Sequence, residues 1–355
     1  MNKRAWVGKS CLGILAAGIA LLPVCNAGKG PSPAKGAEVQ VGAYKLTGPF
    51  TCENLTVYLI HGTDEFKNKN FMTLQEAVAK KLVIVHETKT VNQLTIENLS
   101  KDVEVYVQSG DIVKGGQQDR TIAYDLILPP KSGKLPITSY CVEQGRWTRR
   151  GGESVARFDS SPNTLPSKDA KIAVKGVGSE KRLAQNKVWM EVARKQRMLS
   201  LVLGKSVKSN QSASSLQLTL EDKKLLQAVE AYMKKMSTLL DGKKDVVGFA
   251  FAINGQINSA DIYGSHALFL KLWPNLLKAT VVEAIAEQQK GKKFKPVNAA
   301  EFKTFMLSTD KGKASNTDIT KRIRMIKQET KKNILFVTQD RENKGLPVRK
   351  NYIAK

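Results

Sequence analysis

The chain has few of the residues that most often carry catalysis or bind metals. Its 355 residues include four cysteines and three histidines. The histidines, His61, His86 and His266, are far apart, and no pair of cysteines has the spacing of a zinc site. The glycine spacings of a P-loop and of a dinucleotide-binding fingerprint are also missing. We therefore expect no metal site and no cofactor.

Long apolar runs are scarce as well. The longest uncharged one, Cys11 to Val24, has 14 residues, whereas about 20 are needed to span a bilayer. Three basic residues precede it and Ala27 follows it, an arrangement typical of a secretory signal peptide over residues 1–27. We expect cleavage after Ala27, a secreted or periplasmic location and no transmembrane span in the mature chain. A membrane anchor, or a lipid attached to Cys25, is the alternative.

Acidic residues are outnumbered by basic ones. The chain has 57 Lys+Arg and 32 Asp+Glu, a net charge of +25, and removal of residues 1–27 leaves 54 against 32. A field of this sign favours anionic ligands and anionic surfaces. An exported protein meets lipid headgroups, anionic glycans and polyphosphate first, so we do not expect nucleic acid to be the primary partner. A basic surface that serves only solubility is the alternative.

Two cysteines remain after the expected cleavage, Cys52 and Cys141. In an oxidising compartment two isolated cysteines are more often bridged than free. We therefore expect a Cys52–Cys141 disulfide bond. The alternative, in which Cys141 is a nucleophile, lacks a histidine in a recognisable relation to it.

The hydrophobic pattern predicts an α+β fold. Residues 28–43 are rich in Gly, Pro and Lys and indicate a flexible lead-in. Short runs with period-two alternation over residues 44–147 predict a β-rich, mostly antiparallel half. Residues 148–184 lack periodicity and indicate a loop, and residues 185–289 predict helices and a β-hairpin turning at Asn254-Gly255. Residues 44–289 are thus interpreted as one composite domain, with a helix kinked or broken at Pro274.

Residues 290–355 are interpreted as a basic C-terminal extension. They contain 18 Lys+Arg and 6 Asp+Glu. Helix-like pieces are predicted at Ala299–Leu307 and Asp318–Thr330, and a strand-like run at Ile334–Thr338. A solvated, partly disordered tail is the expectation here, and such a tail would bind polyanions weakly and with a steep salt dependence.

The candidate ligand-binding residues lie between positions 114 and 147. The run VQSGDIVKGGQQDR combines paired glycines, which let the backbone approach a group closely, with charged neighbours. The run YCVEQGRW places a guanidinium beside a carboxylate and an aromatic ring. The candidates are Lys114, Gly115, Gly116, Gln118, Asp119, Arg120, Glu143, Arg146 and Trp147.

We expect these two runs to form one neighbourhood, because sheet pairing readily joins the strand after Arg120 to the strand ending at Val142. A plain hairpin with an Asp119/Arg120 ion pair is the structural alternative. Paired carboxylates drawn from Asp125, Glu143 and Asp261 are a further hypothesis.

The motifs GDIVKGGQQDR, LILPP and CVEQGRW together resemble the core of a bacterial family. That family is named for its association with ADP-ribosylglycohydrolase and rhodanese-phosphatase proteins and has no assigned function. The resemblance continues through NKVWMEVARKQ, DVVGFAFAINGQINSADIYGS and LFLKLWPNLL, and so covers about residues 44–289. It implies a link to ADP-ribose or other phosphate-containing compounds, by association only.

The leading functional hypothesis is an exported, non-enzymatic protein that binds a phosphate-containing anionic ligand through residues 114–147. One alternative is a hydrolase of an ADP-ribose-like or phosphorylated substrate that uses Asp119, Arg120 and Glu143. The other is a structural interaction module. Convergence of the candidate side chains at one concave site favours the first two, and dispersal favours the third.

Overall fold

The computed structural model describes residues 38–176 and 180–355. The expected signal peptide and most of the lead-in lie outside the described residues. The strands are β1 (Val39–Val41), β2 (Tyr44–Cys52), β3 (Leu55–His61), β4 (Met72–Thr73), β5 (Val83–Thr90), β6 (Gln93–Asn98), β7 (Val105–Val107), β8 (Asp111–Gly115), β9 (Arg120–Ile122), β10 (Leu126–Leu128), β11 (Gly133–Cys141), β12 (Arg157–Thr164), β13 (Val246–Ile253), β14 (Gln256–Tyr263), β15 (Lys313–Asp318), β16 (Ile323–Glu329), β17 (Asn333–Asp340) and β18 (Leu346–Ala354). The helices are α1 (Leu74–Ala79), α2 (Lys168–Ala173), α3 (Glu180–Leu203), α4 (Leu216–Leu220), α5 (Lys223–Met236), α6 (His266–Ala286) and α7 (Ala299–Thr309).

A nine-stranded antiparallel sheet forms the main layer. Its order is β1-β2-β3-β13-β14-β18-β17-β16-β15. The predicted hairpin is its centre: β13 pairs with β14, and the turn residues Asn254 and Gly255 have φ of 54° and 71°. Positive φ at both positions is what a two-residue hairpin turn requires, so this element is confirmed.

Helices cover both faces of the main sheet. Period-two alternation sends Val57 and Leu59 of β3 into the core shared with α3, α5 and α6. Tyr58 and Ile60 point to the opposite core, beneath α7. There the Tyr58 ring packs against Phe302 with centroids 5.2 Å apart. The central strands β3 and β13 are therefore buried on both sides.

The β-rich first half builds a second unit, a closed barrel of six strands in the order β11-β6-β5-β12-β8-β9. The apolar residues of its interior form a separate core. A small sheet, β10-β7-β4, lies beside it, with β4 parallel to β7. Every other strand pair in the described residues is antiparallel, as predicted for this half, and the α+β class is confirmed.

Residues 299–354 differ from the expected solvated tail. They supply α7 and four strands, and β18 lies between β14 and β17 in the main sheet. The helix expected over Asp318–Thr330 is wrong, because Ile323 and Met325 of β16 are buried at period-two spacing. Some of the basic residues of this segment, such as Arg324 and Lys327, lie on β16 beside its buried residues, and most of the others lie in turns and on α7.

Two further expectations differ from the structure. The segment 148–184 contains β12, whose sequence RFDSSPNT shows little apolar alternation, and also α2 and the start of α3. Pro274 does not break α6, which is continuous from His266 to Ala286, so the break that was one of the two expected outcomes at this proline is wrong. The strong burial of this helix against the sheet outweighs the loss of one backbone hydrogen bond. Among the described residues, no helix is long and apolar enough to cross a membrane.

Candidate functional site

Most of the candidate residues meet at one end of the barrel. Strands β5, β8 and β11 end there, and β6, β9 and β12 begin there, because neighbouring strands run antiparallel. We call this end the barrel mouth and define it by Glu87, Gly115 to Arg120 and Cys141 to Arg150. Pairing of Cys141 with Arg120 across β11 and β9 brings the two sequence runs together.

Two carboxylates and two guanidinium groups form a buried charge clamp over the mouth: Asp119, Glu143, Arg146 and Arg150. Arg150 donates two hydrogen bonds of 2.8 Å to the two oxygens of Asp119. Arg146 contacts Glu143 at 2.7 Å, and the backbone N–H of Asp119 donates to Glu143. Bidentate, charge-assisted pairs of this kind are the strong ones. The clamp fixes the segment 142–150 across the end of the barrel.

The clamp carboxylates have little capacity left for catalysis. Burial alone would raise the pKa of Glu143, but hydrogen bonds from Arg146 and Ser212 outweigh it and lower the pKa below its usual value. Asp119 also accepts from the Gly115 N–H and the Ser215 hydroxyl. Both groups act as acceptors that hold the loop in place.

Arg120 lies inside the mouth, with 0% of its surface exposed. Its Nη1 donates to the Cys141 sulfur at 2.9 Å and, at 3.3 and 3.4 Å, to the two oxygens of Gln118. Its Nε and Nη2 have no hydrogen-bond partner. Glu87 is the nearest carboxylate in an ion pair with it, at 3.7 Å from Nη2. Arg120 is thus held firmly by one nitrogen and keeps two donors unused.

An aromatic ring covers this guanidinium. The Trp147 ring centroid lies 5.5 Å from the Arg120 Cζ atom, a cation–π distance. Trp147 itself is 42% exposed. The ring therefore stands between Arg120 and solvent.

The paired glycines let the β8–β9 turn fold tightly into the mouth. Gly116 has a φ of +55°, and a Cβ atom there would lie 2.3 Å from the Phe158 ring and 2.7 Å from Glu87. The Arg146 guanidinium donates to the carbonyl oxygens of Gly115 and Gly116. Only glycine fits this backbone path without displacing its neighbours.

Cys52 and Cys141 do not form the expected disulfide bond, and both are buried. Cys52 ends β2 in the main sheet and Cys141 ends β11 in the barrel. The expectation rested on the number of cysteines, which carries no information on their distance. Burial raises the pKa of the Cys141 thiol to about 11, although the nearby Arg120 opposes the shift. A thiol that stays protonated at neutral pH is a poor nucleophile.

The structure brings eight of the nine candidates together, Gly115, Gly116, Gln118, Asp119, Arg120, Glu143, Arg146 and Trp147. The ninth, Lys114, points to Glu221 at 2.7 Å and reaches the mouth only through Glu153, at 3.9 Å. The alternative Asp119/Arg120 ion pair is not the pairing observed, since Asp119 is bound by Arg150.

Sequence reasoning missed Arg150, Glu87 and Ser215. Arg150 is 5% exposed and belongs to the clamp. Its place before Gly151-Gly152 indicates a surface loop, and no local pattern distinguishes it from its exposed neighbour Arg149. Ser215 caps α4 and comes from far along the chain.

A second buried network joins the barrel region to the main sheet. Arg349 of β18 donates to Asp125 at 3.0 Å and to Asp261 at 2.9 Å. Paired carboxylates were a hypothesis for Asp125, Glu143 and Asp261. Asp125 and Asp261 share the guanidinium of Arg349, whereas Glu143 lies in the barrel mouth. Burial, together with the charge of Arg349, lowers the pKa of the neighbouring Lys175 to about 7. Within residues 38–176 and 180–355, no three His, Cys, Asp or Glu side chains are grouped so that they could hold a metal ion.

Comparison with known proteins identifies one relationship. The family model of the ARG and Rhodanese-Phosphatase-superfamily-associated Protein domain matches residues 43–345. The match includes the barrel, the strands of the main sheet from β2 to β17, and every residue of the barrel mouth. No curated protein and no solved structure matches the chain.

Proposed function

The chain belongs to the family of the ARG and Rhodanese-Phosphatase-superfamily-associated Protein domain, and on that premise we propose that it is an exported protein that binds a phosphate-containing anionic ligand at the barrel mouth. One observation carries the proposal: the Nε and Nη2 donors of the fully buried Arg120 have no hydrogen-bond partner. Leaving buried donors unpaired costs free energy. A ligand that accepts hydrogen bonds from both nitrogens removes this cost.

The geometry of the free donors fits an oxyanion. The Nε and Nη2 edge of a guanidinium presents two parallel N–H groups, which match two oxygens of a phosphate or carboxylate group. All three nitrogens of Arg150 donate hydrogen bonds, and Arg146 keeps only its Nε without a partner. Arg120 is therefore the guanidinium at the mouth with a free fork. Mouths of β-barrels are also a common place for ligand sites.

Trp147 supplies the entrance. Because its ring covers Arg120 and is 42% exposed, a ligand reaches the guanidinium when the ring swings outward. Gly145, two residues before Trp147, has a φ of +86° and open space around it, so no neighbouring atom of the protein blocks this side of the loop. The same ring offers a face on which a base or sugar attached to the phosphate can stack.

Binding rather than hydrolysis is the activity that the mouth supports best. Hydrolysis requires a group that accepts or donates a proton at working pH. The pKa of Glu143 is held below its usual value by Arg146 and Ser212 despite burial, and both oxygens of Asp119 already accept hydrogen bonds. The Cys141 thiol is protonated at neutral pH, with its pKa raised to about 11.

Export is supported by the basic start, apolar run and small residue of positions 1–27. We expect the mature protein to begin at Gly28. Mass spectrometry of the secreted or periplasmic protein measures this directly. A mature chain that begins at Met1, or that carries a lipid on Cys25, contradicts the export proposal without touching the binding proposal.

Isothermal titration with ADP-ribose and with inorganic pyrophosphate tests the binding site. Arg120→Lys keeps the positive charge but loses the two-donor fork, so it should weaken binding about tenfold or more, on the order of 1.4 kcal/mol. Arg149→Lys is the matched control, because Arg149 is an exposed arginine of the same loop. It should change the affinity less than twofold. Thermal melts confirm that each variant is folded.

Tryptophan fluorescence gives an independent readout. Binding should change the emission of the protein and leave that of Trp147→Phe unchanged, because the ring must move. Absence of binding by both compounds, or equal effects of Arg120→Lys and Arg149→Lys, overturns the proposal. The mouth is then a structural clamp, and the chain an interaction module.

A further inference from the structure

We propose that a groove on the helical side binds a single-chain lipid with a phosphate head group. The groove lies between the C-terminal ends of α3 and α6 and the start of α5, and has a volume of about 690 Å³. We call it the lysine-rimmed groove. It shares no residue with the barrel mouth. The inference is therefore independent of the proposed function.

The floor of the groove is apolar. Leu203, Ala228 and Ile285 line it and are buried in the core between the helices. Leu201 stands at its edge with 71% of its surface exposed. Met198, Val202 and Phe294 also line the groove and are partly exposed, so its apolar side chains form a contiguous patch, which is typical of a binding surface.

The rim carries positive charge. Lys224, Lys290, Lys292 and Lys293 line the groove, and Glu53 is the single carboxylate among its lining residues. Lys292 and Lys293 are exposed on the segment that follows α6. Lysines act as compact point charges that suit a phosphate group. The pairing of an apolar floor with a lysine rim is complementary to a molecule with an acyl chain and an anionic head.

Shape selects among anionic amphiphiles. A concave groove of this volume falls in the range of small-molecule sites, roughly 300–1,000 Å³, whereas a bilayer surface is met by protruding side chains. One acyl chain can lie along the floor with its head among the lysines. The occupant we infer is therefore a lysophosphatidate, a lipid with one chain and one phosphate.

The test compares three probes by isothermal titration below their micelle concentrations. Palmitoyl lysophosphatidate has both the chain and the phosphate, palmitoyl lysophosphatidylcholine has the chain with a zwitterionic head, and butyl phosphate has little chain. The proposal expects lysophosphatidate to bind at least about tenfold more tightly than either of the other two, because each lacks one of the two contributions.

Two pairs of variants locate the binding. Leu201→Gln should weaken lysophosphatidate binding about five- to tenfold, since part of a leucine side chain leaves the interface. Met190→Gln is its control, because Met190 is 70% exposed on the same helix but outside the groove. Lys292→Glu should also weaken binding and flatten its salt dependence. Lys187→Glu, an exposed lysine of α3 outside the groove, is the control for it.

Several results overturn the inference. Equal affinity for lysophosphatidate and lysophosphatidylcholine removes the role of the lysine rim. Affinity for lysophosphatidate that is no greater than for butyl phosphate removes the role of the floor. Leu201→Gln and Met190→Gln with the same effect place the lipid elsewhere. Binding of an acidic amphipathic peptide, with no binding of the lipid, assigns the groove to a protein partner instead.

Discussion

Replacement of Arg150 tests the central role of the charge clamp. Arg150 is 5% exposed and donates two 2.8 Å hydrogen bonds to Asp119, which is fully buried. It also contacts Glu143 at 3.3 Å and Glu153 at 2.9 Å. Arg150→Met keeps most of the side-chain volume and removes the charge. Asp119 is then left buried without its main partner.

The expected loss is large for a single substitution. Removing one partner of a buried ion pair typically costs about 3 to 5 kcal/mol, because the remaining charge is uncompensated. We expect a decrease of this size in the free energy of unfolding. Urea unfolding followed by far-UV circular dichroism measures this free energy. Its slope against the urea concentration should be the same in the variant and in the wild type.

The matched control is Arg149→Met, since Arg149 is the exposed neighbour and its loss should cost no more than about 0.5 kcal/mol. The double variant Asp119→Asn with Arg150→Met should lose at least about 1 kcal/mol less stability than the sum of the losses of the two single variants, because neither charge is then left unpaired. A loss below about 1 kcal/mol for Arg150→Met, or strict additivity, would refute the reasoning that the pair is buried and coupled.

Three further outcomes follow from the structure. Gly116→Ala should destabilise the protein by about 2 kcal/mol more than Gly151→Ala in urea unfolding; both glycines have φ near +55°, but only the first Cβ would clash, at 2.3 Å from an aromatic carbon, so equal losses contradict the tight packing. Between about pH 7 and 10 the free energy of unfolding should rise with pH more steeply in the wild type than in Lys175→Met. Burial first, and Arg349 second, lower the pKa of Lys175 from 10.5 to about 7. The folded state therefore binds fewer protons than the unfolded state in this pH range, whereas below pH 7 Lys175 is protonated in both states. Identical slopes contradict the shift. Peptide mapping of the unreduced protein by mass spectrometry should show no peptide in which Cys52 is linked to Cys141, and such a peptide contradicts the arrangement in which these two residues are not bridged to each other.

The predictable parts of the fold are those with a local signal. Asn254-Gly255 needs positive φ at two consecutive residues, and few dipeptides other than this one tolerate it. The neighbourhood of Arg120 and Glu143 was also predictable, because the pairing of β9 with β11 follows from two apolar runs that lie near each other in the sequence. Periodicity and turn chemistry are properties of nearby residues, so the sequence shows them directly.

The unpredicted parts depend on distant partners. β12 has a polar sequence and becomes a strand because β5 and β8 flank it and close the barrel. Arg150 resembles its neighbour Arg149 in every local respect, and only the position of Asp119 makes it a buried group. The charge of residues 299–354 indicated a tail, yet their alternating apolar residues are needed by a sheet whose other strands lie far away in the chain.

The position of β18 in the main sheet has a consequence for the order of folding. During synthesis β18 emerges after both of its neighbours, β14 and β17. Its contact with β14 joins Asp261 to Asn351, a separation that makes pairing slow. Until residues 346–354 have left the ribosome, the two strands that flank β18 keep unpaired edges, and Asp125 and Asp261 lack the guanidinium that they share. The nascent protein therefore stays short of its native state until β18 has been made, in the form that a chaperone can hold.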